Sequence, residues 1–319
     1  MSRFGSLEAS TPPPRGSRRT APNASWFARY GFPVAAVAAV AVIALGAVVL
    51  LASRGRGQDP PAVPGGGAAG VTGPDFHSLV ADPTTPGRLF VGGHQAVSVS
   101  EDAGVSWTRV SSLDDADAMG WAFAEGATYV SGHPGLSRSE DNAATFRRTI
   151  TGLPGTDVHA FGAGPTVLYG YAADGGVFAS SDGARTWEVR AANKGEALFG
   201  RIVVDPGDET HLFVADAQAG VAESRDGGRS WKRLDSGLRG ATWLSRGGPR
   251  LDVLVASGPA GAARSTDGGR SWNRVPVPQG ASLIEVAPED PNVLYAGIHE
   301  GVAVRVEASR DGGSTWTNS

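Results

Sequence analysis

The chain has 319 residues with 46 glycines, 21 prolines and an apolar fraction of 41%, a composition typical of a folded, turn-rich protein rather than a disordered one. Its net charge of −4 and pI near 5.9 argue against nucleic acid as a partner. The absence of cysteine excludes disulfides, Cys-ligated zinc and a thiol nucleophile.

The N-terminal part of the chain predicts a membrane anchor. Residues 33–52 are twenty residues without a charge, enough for a helix of about 30 Å that spans a bilayer. Arginines at positions 3, 15, 18, 19 and 29 precede this segment, and only those at 54 and 56 closely follow it. The positive-inside rule therefore predicts a single-pass membrane protein with its N-terminus in the cytoplasm and its large domain outside. The alternative is a cleavable signal peptide, whose apolar region is typically shorter, about 7–15 residues.

The segments beside the anchor lack folding signals. Residues 1–32 are predicted to be a disordered cytoplasmic tail, and residues 53–73 form a Pro/Gly-rich linker that holds the next domain off the membrane. Residues 74–319 are expected to form one domain and to act as a monomer.

That domain contains an eight-residue pattern that recurs six times. The copies are Ser100–Trp107, Ser139–Phe146, Ser180–Trp187, Ser224–Trp231, Ser265–Trp272 and Ser309–Trp316. Their aspartates are separated by 39, 41, 44, 41 and 44 residues, and a period of about 40–45 is that of a four-stranded propeller blade. The sequence therefore predicts an all-β fold, a six-bladed β-propeller.

The repeated pattern, S-x-D-x-G-x-T/S-W, resembles the Asp box, or BNR repeat, of sialidases, sortilin-type receptors and photosystem II assembly-factor propellers. Each aspartate is expected to accept backbone N–H groups of its own turn, the glycine to take a positive φ, and the Trp to bury its ring between sheets. The resemblance implies structural aspartates on the rim away from the ligand face; the alternative is that they bind a cation or act as catalytic acids. These aspartates are Asp102, Asp141, Asp182, Asp226, Asp267 and Asp311.

Strands are predicted between the boxes. In the first repeat they are residues 77–83, 88–93, 96–100 and 107–110. Only three residues follow Trp316, so the outer strand of the last repeat is expected to be short. The sequence leaves open whether a strand from residues 62–72 completes it or the first and sixth sheets simply pack together.

The face opposite the Asp boxes is the predicted ligand site. A D-x-H/M element begins the inner strand of three consecutive repeats, and eight residues before each of the first three box aspartates stands His94, His133 or Asp174. Arg201 and Glu285 are polar groups on other inner strands. The ligand-binding candidates are thus Asp75, His77, His94, Asp117, His133, Asp157, His159, Asp174, Arg201 and Glu285.

Imidazoles beside carboxylates could bind a polyhydroxylated ligand or a divalent metal, or they could merely cap strand ends. Because these histidines lack a tight spacing motif, the sequence assigns no metal ligands, no cofactor and no catalytic residue.

The segments 120–136 and 158–171 are similar to actinobacterial membrane-anchored Asp-box proteins labelled glycosyl hydrolases, a resemblance that covers essentially residues 74–319. The chain has no R-I-P motif and no cluster of three arginines, which argues against sialidase activity. We therefore expect an extracytoplasmic recognition module for an envelope glycan or protein. The alternatives are an exo-glycosidase without the arginine cluster and an envelope assembly factor.

Overall fold

The computed structural model describes residues 68–69, 75–133, 135–149, 152–192 and 197–318. The chain divides into two compact units, Met1–Ala62 and Val63–Ser319, and all described residues belong to the second. The predicted tail, the predicted transmembrane helix and nearly all of the linker lie outside the described residues. Within the described ranges, no helix is long and apolar enough to cross a membrane.

The described residues are almost entirely β structure, with one turn of 3-10 helix at Ser111–Leu113. The strands, in chain order, are β1 Ala68–Ala69, β2 Phe76–Ala81, β3 Leu89–Gly93, β4 Val97–Ser100, β5 Thr108–Arg109, β6 Gly120–Ala124, β7 Ala127–Gly132, β8 Gly135–Ser139, β9 Arg147–Thr149, β10 Val158–Ala163, β11 Leu168–Ala172, β12 Gly176–Ser180, β13 Glu188–Ala191, β14 Leu198–Asp205, β15 Asp208–Asp216, β16 Gly220–Ser224, β17 Lys232–Asp235, β18 Trp243–Gly247, β19 Val253–Gly258, β20 Gly261–Ser265, β21 Asn273–Val275, β22 Ala281–Val286, β23 Leu294–Glu300, β24 Ala303–Ser309 and β25 Thr317–Asn318.

From β2 onward, the described strands form antiparallel units of four consecutive strands, in which chain neighbours are sheet neighbours. The units are β2–β5, β6–β9, β10–β13, β14–β17, β18–β21 and β22–β25. From the second unit to the last, the first strands of successive units contact one another, and β10 and β14 pair in parallel with Phe161 opposite Arg201. Strand β2 also contacts β22, so the first unit packs against the last. The fold is all-β and propeller-like.

The strands predicted for the first repeat are confirmed to within a few residues by β2 to β5. The first strand of a unit is packed on both faces, because neighbouring units cover both sides of its sheet. In β22, for example, five of the six residues are buried. This explains why these strands read as nearly continuous apolar runs rather than as alternating ones.

The N-terminal strand β1 pairs with the last unit. Ala68 and Ala69 lie opposite Arg305 and Val304 of β24, antiparallel, beside the short β25 on the same edge. Of the two alternatives that the sequence left open, the borrowed strand is therefore observed, together with packing of β2 on β22. The borrowed strand covers a part of β24 that β25 does not pair with, so fewer backbone groups of the edge face solvent.

The six repeated segments, Ser100–Trp107 to Ser309–Trp316, are called the aspartate turns below. In the turn of Asp267, Oδ1 accepts the backbone N–H of Ser271 at 2.9 Å and the hydroxyl of Ser265 at 2.8 Å. Oδ2 accepts the hydroxyl of Ser271 at 2.6 Å. The other five turns contain the same bonds. Both oxygens of each aspartate are thus engaged within its own turn.

The two residues that follow each turn aspartate both have positive φ. In the second and third turns alanines occupy this region, with φ of 61° at Ala143 and 69° at Ala184. The glycines of the turns thus take the expected positive φ, and alanine adopts the same backbone conformation where it replaces them. The turn hydrogen bonds hold these alanines in a backbone region that costs an L-residue roughly 1–2 kcal/mol.

The aromatic residue that ends each turn packs against the core, but the five tryptophans are only partly buried. Phe146, in the second turn, is buried at 5% exposure. The tryptophans thus pack against the core as expected, although part of each remains exposed. Trp121 and Trp243, which lie on first strands, are both 0% exposed.

Candidate functional site

Successive hairpins of an antiparallel unit lie at opposite ends of its sheet. The aspartate turns join the third and fourth strands, whereas His94 and His133 lie between the second and third strands of their units. These histidines are therefore at the end opposite the aspartate turns. Asp75, Asp117 and Asp157 share that end, since each stands just before the first strand of its unit.

The segment around Asp117 is fixed where the first two units meet. Trp121 Nε1 donates to Ser78 Oγ at 2.9 Å, and Ser78 Oγ donates to the carbonyl oxygen of Ala118 at 2.8 Å. A Cβ on Gly132 would collide with the carbonyl oxygen of Asp117. Because Gly132 has no side chain, Asp117 can lie directly against β7.

Asp117 is the centre of a row of charged and imidazole side chains. Its side chain is only 5% exposed. Oδ2 accepts a hydrogen bond from His133 Nδ1 at 2.9 Å, and Oδ1 lies 3.0 Å from His94 Nδ1 and 3.5 Å from His77 Nε2. One buried carboxylate therefore contacts three histidines from two units.

The row extends on both sides of Asp117. On one side, His94 Nε2 lies 3.4 Å from Asp75 Oδ2, and the rings of His77 and His94 are 4.5 Å apart. On the other, Asp157 Oδ1 lies 2.5 Å from His133 Nε2 and 2.6 Å from His159 Nε2. The histidine–aspartate row is thus Asp75, His77, His94, Asp117, His133, Asp157 and His159.

The close contacts of the row shift several pKa values. Burial alone would raise the pKa values of Asp117 and Asp157. Contacts with His133 and His94 outweigh burial at Asp117 and lower its pKa. Contacts with His133 and His159 do the same at Asp157. Asp117 and then Asp157 raise the pKa of His133 to about 10. Asp117 also raises the pKa of His94, whereas burial lowers that of His77. Without another cation, the row therefore favours a protonated His133.

Three buried atoms of the row have no hydrogen-bond partner: His77 Nε2, Asp117 Oδ1 and Asp157 Oδ1. Histidine nitrogens lie near both carboxylate oxygens, but they are not aligned to donate to them. Buried polar atoms are normally hydrogen-bonded, so these three atoms are available to a ligand.

Arg201 and Glu285 form a separate buried pair. Arg201 Nη1 lies 3.1 Å from Glu285 Oε1, which also accepts the backbone N–H of Ala81, and Trp243 Nε1 donates to Oε2 at 2.9 Å. Burial raises the pKa of Glu285 to about 7, although Arg201 and Trp243 lower it. Glu285 is 0% exposed, so the pair lies in the interior between units.

Asp174 does not join the row, although it occupies the same loop position as His94 and His133. It is exposed, and its carboxylate covers Gly155, leaving no space there for a Cβ. Of the ten sequence candidates, the structure therefore brings seven together, pairs two elsewhere and leaves Asp174 apart.

Sequence reasoning missed two neighbours of the row. Phe199 stacks on the ring of His159, with centroids 5.1 Å apart and planes at 19°. The register of β10 with β14, in which Ala160 lies opposite Gly200, places His159 and Phe199 side by side, and only this strand pairing could have indicated the stacking.

The second neighbour of the row that sequence reasoning missed is a polar cleft of about 200 Å³ beside His133, lined also by Asp115, Asp117 and Arg148.

Neither a protein-family model nor a curated protein matches this chain. Solved structures are similar in fold. A GH74 xyloglucanase from Xanthomonas campestris shares 19% identity at a TM-score of 0.54, covering 80% of this chain and 46% of that one. A GH74 enzyme from Niastella koreensis shares 15% identity at a TM-score of 0.56, and the match again covers 80% of this chain and 46% of the enzyme. The WD40 repeats of RRP9 share 11% identity at a TM-score of 0.50, and the match covers 77% of this chain and 79% of that one.

The chain thus spans about half the length of the two GH74 enzymes. At these identities the likeness shows a β-propeller fold and nothing about activity.

Proposed function

We propose that this chain is a membrane-anchored, extracytoplasmic propeller that recognises a glycan of the cell envelope through the histidine–aspartate row. The observation that carries the proposal is the convergence of seven sequence-selected side chains at one end of the sheets. Imidazoles and carboxylates side by side offer donors and acceptors for neighbouring sugar hydroxyls, and the cleft at His133 gives them access to solvent.

The architecture proposed is a monomeric ring of six Asp-box blades. Six four-stranded units, each with an aspartate turn, support this count. The pairing of β1 with β24 supports closure of the ring between the first and last blades.

The anchor is proposed from residues 33–52 and the arginines before them. Alkaline phosphatase fused to the C-terminus of the full chain tests the orientation, because it is active only outside the cytoplasm. Activity is expected in intact cells. An inactive fusion that accumulates in the cytoplasm would contradict the proposed orientation.

Glycan recognition is tested with the full chain in detergent micelles on an array of envelope polysaccharide fragments. His133→Ala is expected to abolish binding. His211→Ala is the matched control, because His211 also lies between two carboxylates, 3.2 Å from Asp205 and 3.0 Å from Glu223. The proposal is wrong if no polysaccharide binds; that result is the one expected if the ligand is a protein or the chain is an assembly factor. It is also wrong if His133→Ala and His211→Ala bind polysaccharide equally well.

A glycosidase is the second candidate, because Asp117 and Asp157 both face His133 and the similar structures include GH74 enzymes. Release of reducing sugar from xyloglucan and from chromogenic glycosides tests it. If the full chain hydrolyses one of these substrates and Asp117→Asn or Asp157→Asn does not, the chain is a glycosidase and the proposal of glycan recognition is wrong.

A further inference from the structure

Three potential ligand atoms meet at one end of the histidine–aspartate row. His133 Nε2 and His159 Nε2 lie 2.5 and 2.6 Å from Asp157 Oδ1, and the three side chains form a group whose ligand atoms are all within 4.8 Å of one another. Asp157 Oδ1 is nevertheless buried without a hydrogen-bond partner, since neither ring N–H would point at it. Hydrogen bonding therefore does not account for this convergence.

The hydrogen bond made by Nδ1 of His133 determines whether the neutral ring has a hydrogen or a lone pair at Nε2. Nδ1 lies 2.9 Å from Asp117 Oδ2 in an aligned hydrogen bond. A carboxylate can only accept, so Nδ1 carries the hydrogen, and in the neutral ring Nε2 presents a lone pair towards Asp157. Lone pairs from an imidazole and a carboxylate repel each other unless a proton or a metal ion lies between them, and the unpartnered Oδ1 of Asp157 favours the metal ion.

We propose that His133, Asp157 and His159 bind a divalent transition-metal ion, with zinc as the best fit. Two imidazoles and one carboxylate are a ligand set that zinc accepts, and three protein ligands leave one coordination position open. Asp117 acts as the outer carboxylate that orients His133 through Nδ1, an arrangement that metal-binding histidines commonly have.

The residues present can adopt zinc geometry with a small movement. Ligand atoms at zinc's bond lengths of about 2.0–2.1 Å lie about 3.3 Å apart in a tetrahedron. Asp157 must therefore withdraw from each nitrogen by less than about 1 Å, and the two nitrogens, which lie within 4.8 Å of each other, must also take this spacing. Its side chain is 30% exposed and precedes β10, so it has the freedom to do so.

Solvent reaches this group at His133, which is 51% exposed and borders the polar cleft. A hydroxyl group of the bound ligand would complete the coordination there. Only this last step rests on the proposed glycan recognition; metal binding stands without it.

A second histidine group provides an internal control. Asp75, His77 and His94 also lie close together, but there His94 Nδ1 approaches Asp117 without a hydrogen bond. The ion-pair contacts are also wider, at 3.4 Å between His94 Nε2 and Asp75 Oδ2 and 3.5 Å between His77 Nε2 and Asp117 Oδ1. No aligned bond fixes which nitrogen of His94 carries its hydrogen. This group is thus less well prepared for a metal than His133, Asp157 and His159.

The test uses the full chain in detergent micelles, stripped with EDTA, dialysed and titrated with zinc alone. Calorimetry and elemental analysis are expected to give one zinc per chain. His133→Ala, His159→Ala and the conservative Asp157→Asn should each lose stoichiometric binding, and Asp117→Asn should weaken it by about 10–100-fold. The controls His77→Ala and His211→Ala should keep it. Circular dichroism checks that every variant is folded.

The proposal is overturned if the wild-type chain binds no stoichiometric zinc, or if folded Asp157→Asn and His159→Ala bind as tightly as the wild type. It is also overturned if His77→Ala loses the ion while His133→Ala keeps it, because the site would then be the other group. Glycan binding is measured separately with and without zinc. Stoichiometric zinc in a chain that binds no glycan would reject the proposed function and leave the metal site standing.

Discussion

Arg201 Nη1 lies 3.1 Å from Oε1 of Glu285, and the two residues are on the first strands of the fourth and sixth units. The unit between them contributes Trp243, whose Nε1 donates to the same carboxylate at 2.9 Å. Oε1 also accepts the backbone N–H of Ala81 in the first unit. One buried carboxylate therefore links four of the units.

Glu285 should make stability depend on pH. Burial raises its pKa from 4.5 to about 7 in the folded state. The folded state therefore binds the proton more tightly than the unfolded state, and this contribution to stability is full below about pH 4.5 and is lost as pH rises through 7. Glu285→Gln should reduce the change of the urea-unfolding midpoint with pH over this range. Glu101→Gln, which changes an exposed side chain, should leave that pH dependence as it is in the wild type. Equal pH dependence in the two variants would contradict this.

The aspartate turns should dominate acid unfolding. Hydrogen bonds from Ser271 and then Ser265 lower the pKa of Asp267 to about 2, and Asp102, Asp141, Asp182 and Asp311 have equally low values. A lowered pKa stabilises the fold above about pH 3.8, and the contribution is lost as pH falls through 2. Asp267→Asn should reduce the protons taken up on acid unfolding by about one.

The control for this measurement is Asp252→Asn, which changes an exposed aspartate outside the turns. It should leave the proton uptake close to that of the wild type. An unchanged uptake in Asp267→Asn would show that the turn hydrogen bonds do not favour the ionised aspartate.

Two glycines of the aspartate turns should differ in their tolerance of alanine. Both have positive φ, 71° at Gly183 and 83° at Gly228. A Cβ on Gly183 would meet nothing within 4 Å, but one on Gly228 would lie 2.8 Å from Val177 Cγ1. We expect Gly183→Ala to cost about 1 kcal/mol through backbone strain alone, and Gly228→Ala to cost about 3 kcal/mol through strain and overpacking. Denaturant unfolding of the two variants measures this, and equal losses would contradict it.

The borrowed strand should contribute to stability although it is only two residues long. Proline has no N–H to donate, so replacing both Ala68 and Ala69 by proline should break their pairing with β24 and lower the free energy of unfolding by about 2 kcal/mol. Ala62→Pro, upstream of β1, serves as the control. If the double variant unfolds like the control, the first and last units are held together by packing of β2 on β22 alone.

The sequence predicted the strands of the first repeat and the six turns, because these depend on local features: β-forming runs between turn residues, and an aspartate whose partners lie within four positions. It predicted the site only in part. Asp117 was selected as one of three equivalent aspartates, yet it is the centre of the row because its unit has a histidine-bearing neighbour on one side and His133 in its own loop. Asp174 was selected by the same loop position and lies elsewhere, because its side chain turns onto Gly155.

The amino-acid sequence alone determined the all-β class and the repeat, since hydrogen bonds inside each turn and alternation of strand and turn act over a few residues. The tertiary structure decided which side chains meet. It placed Arg201 against Glu285, 84 positions away, and Phe199 against His159 through the parallel register of β10 and β14. Such contacts depend on how whole sheets pack against each other, and local spacing carries no information about the angle and register of that packing.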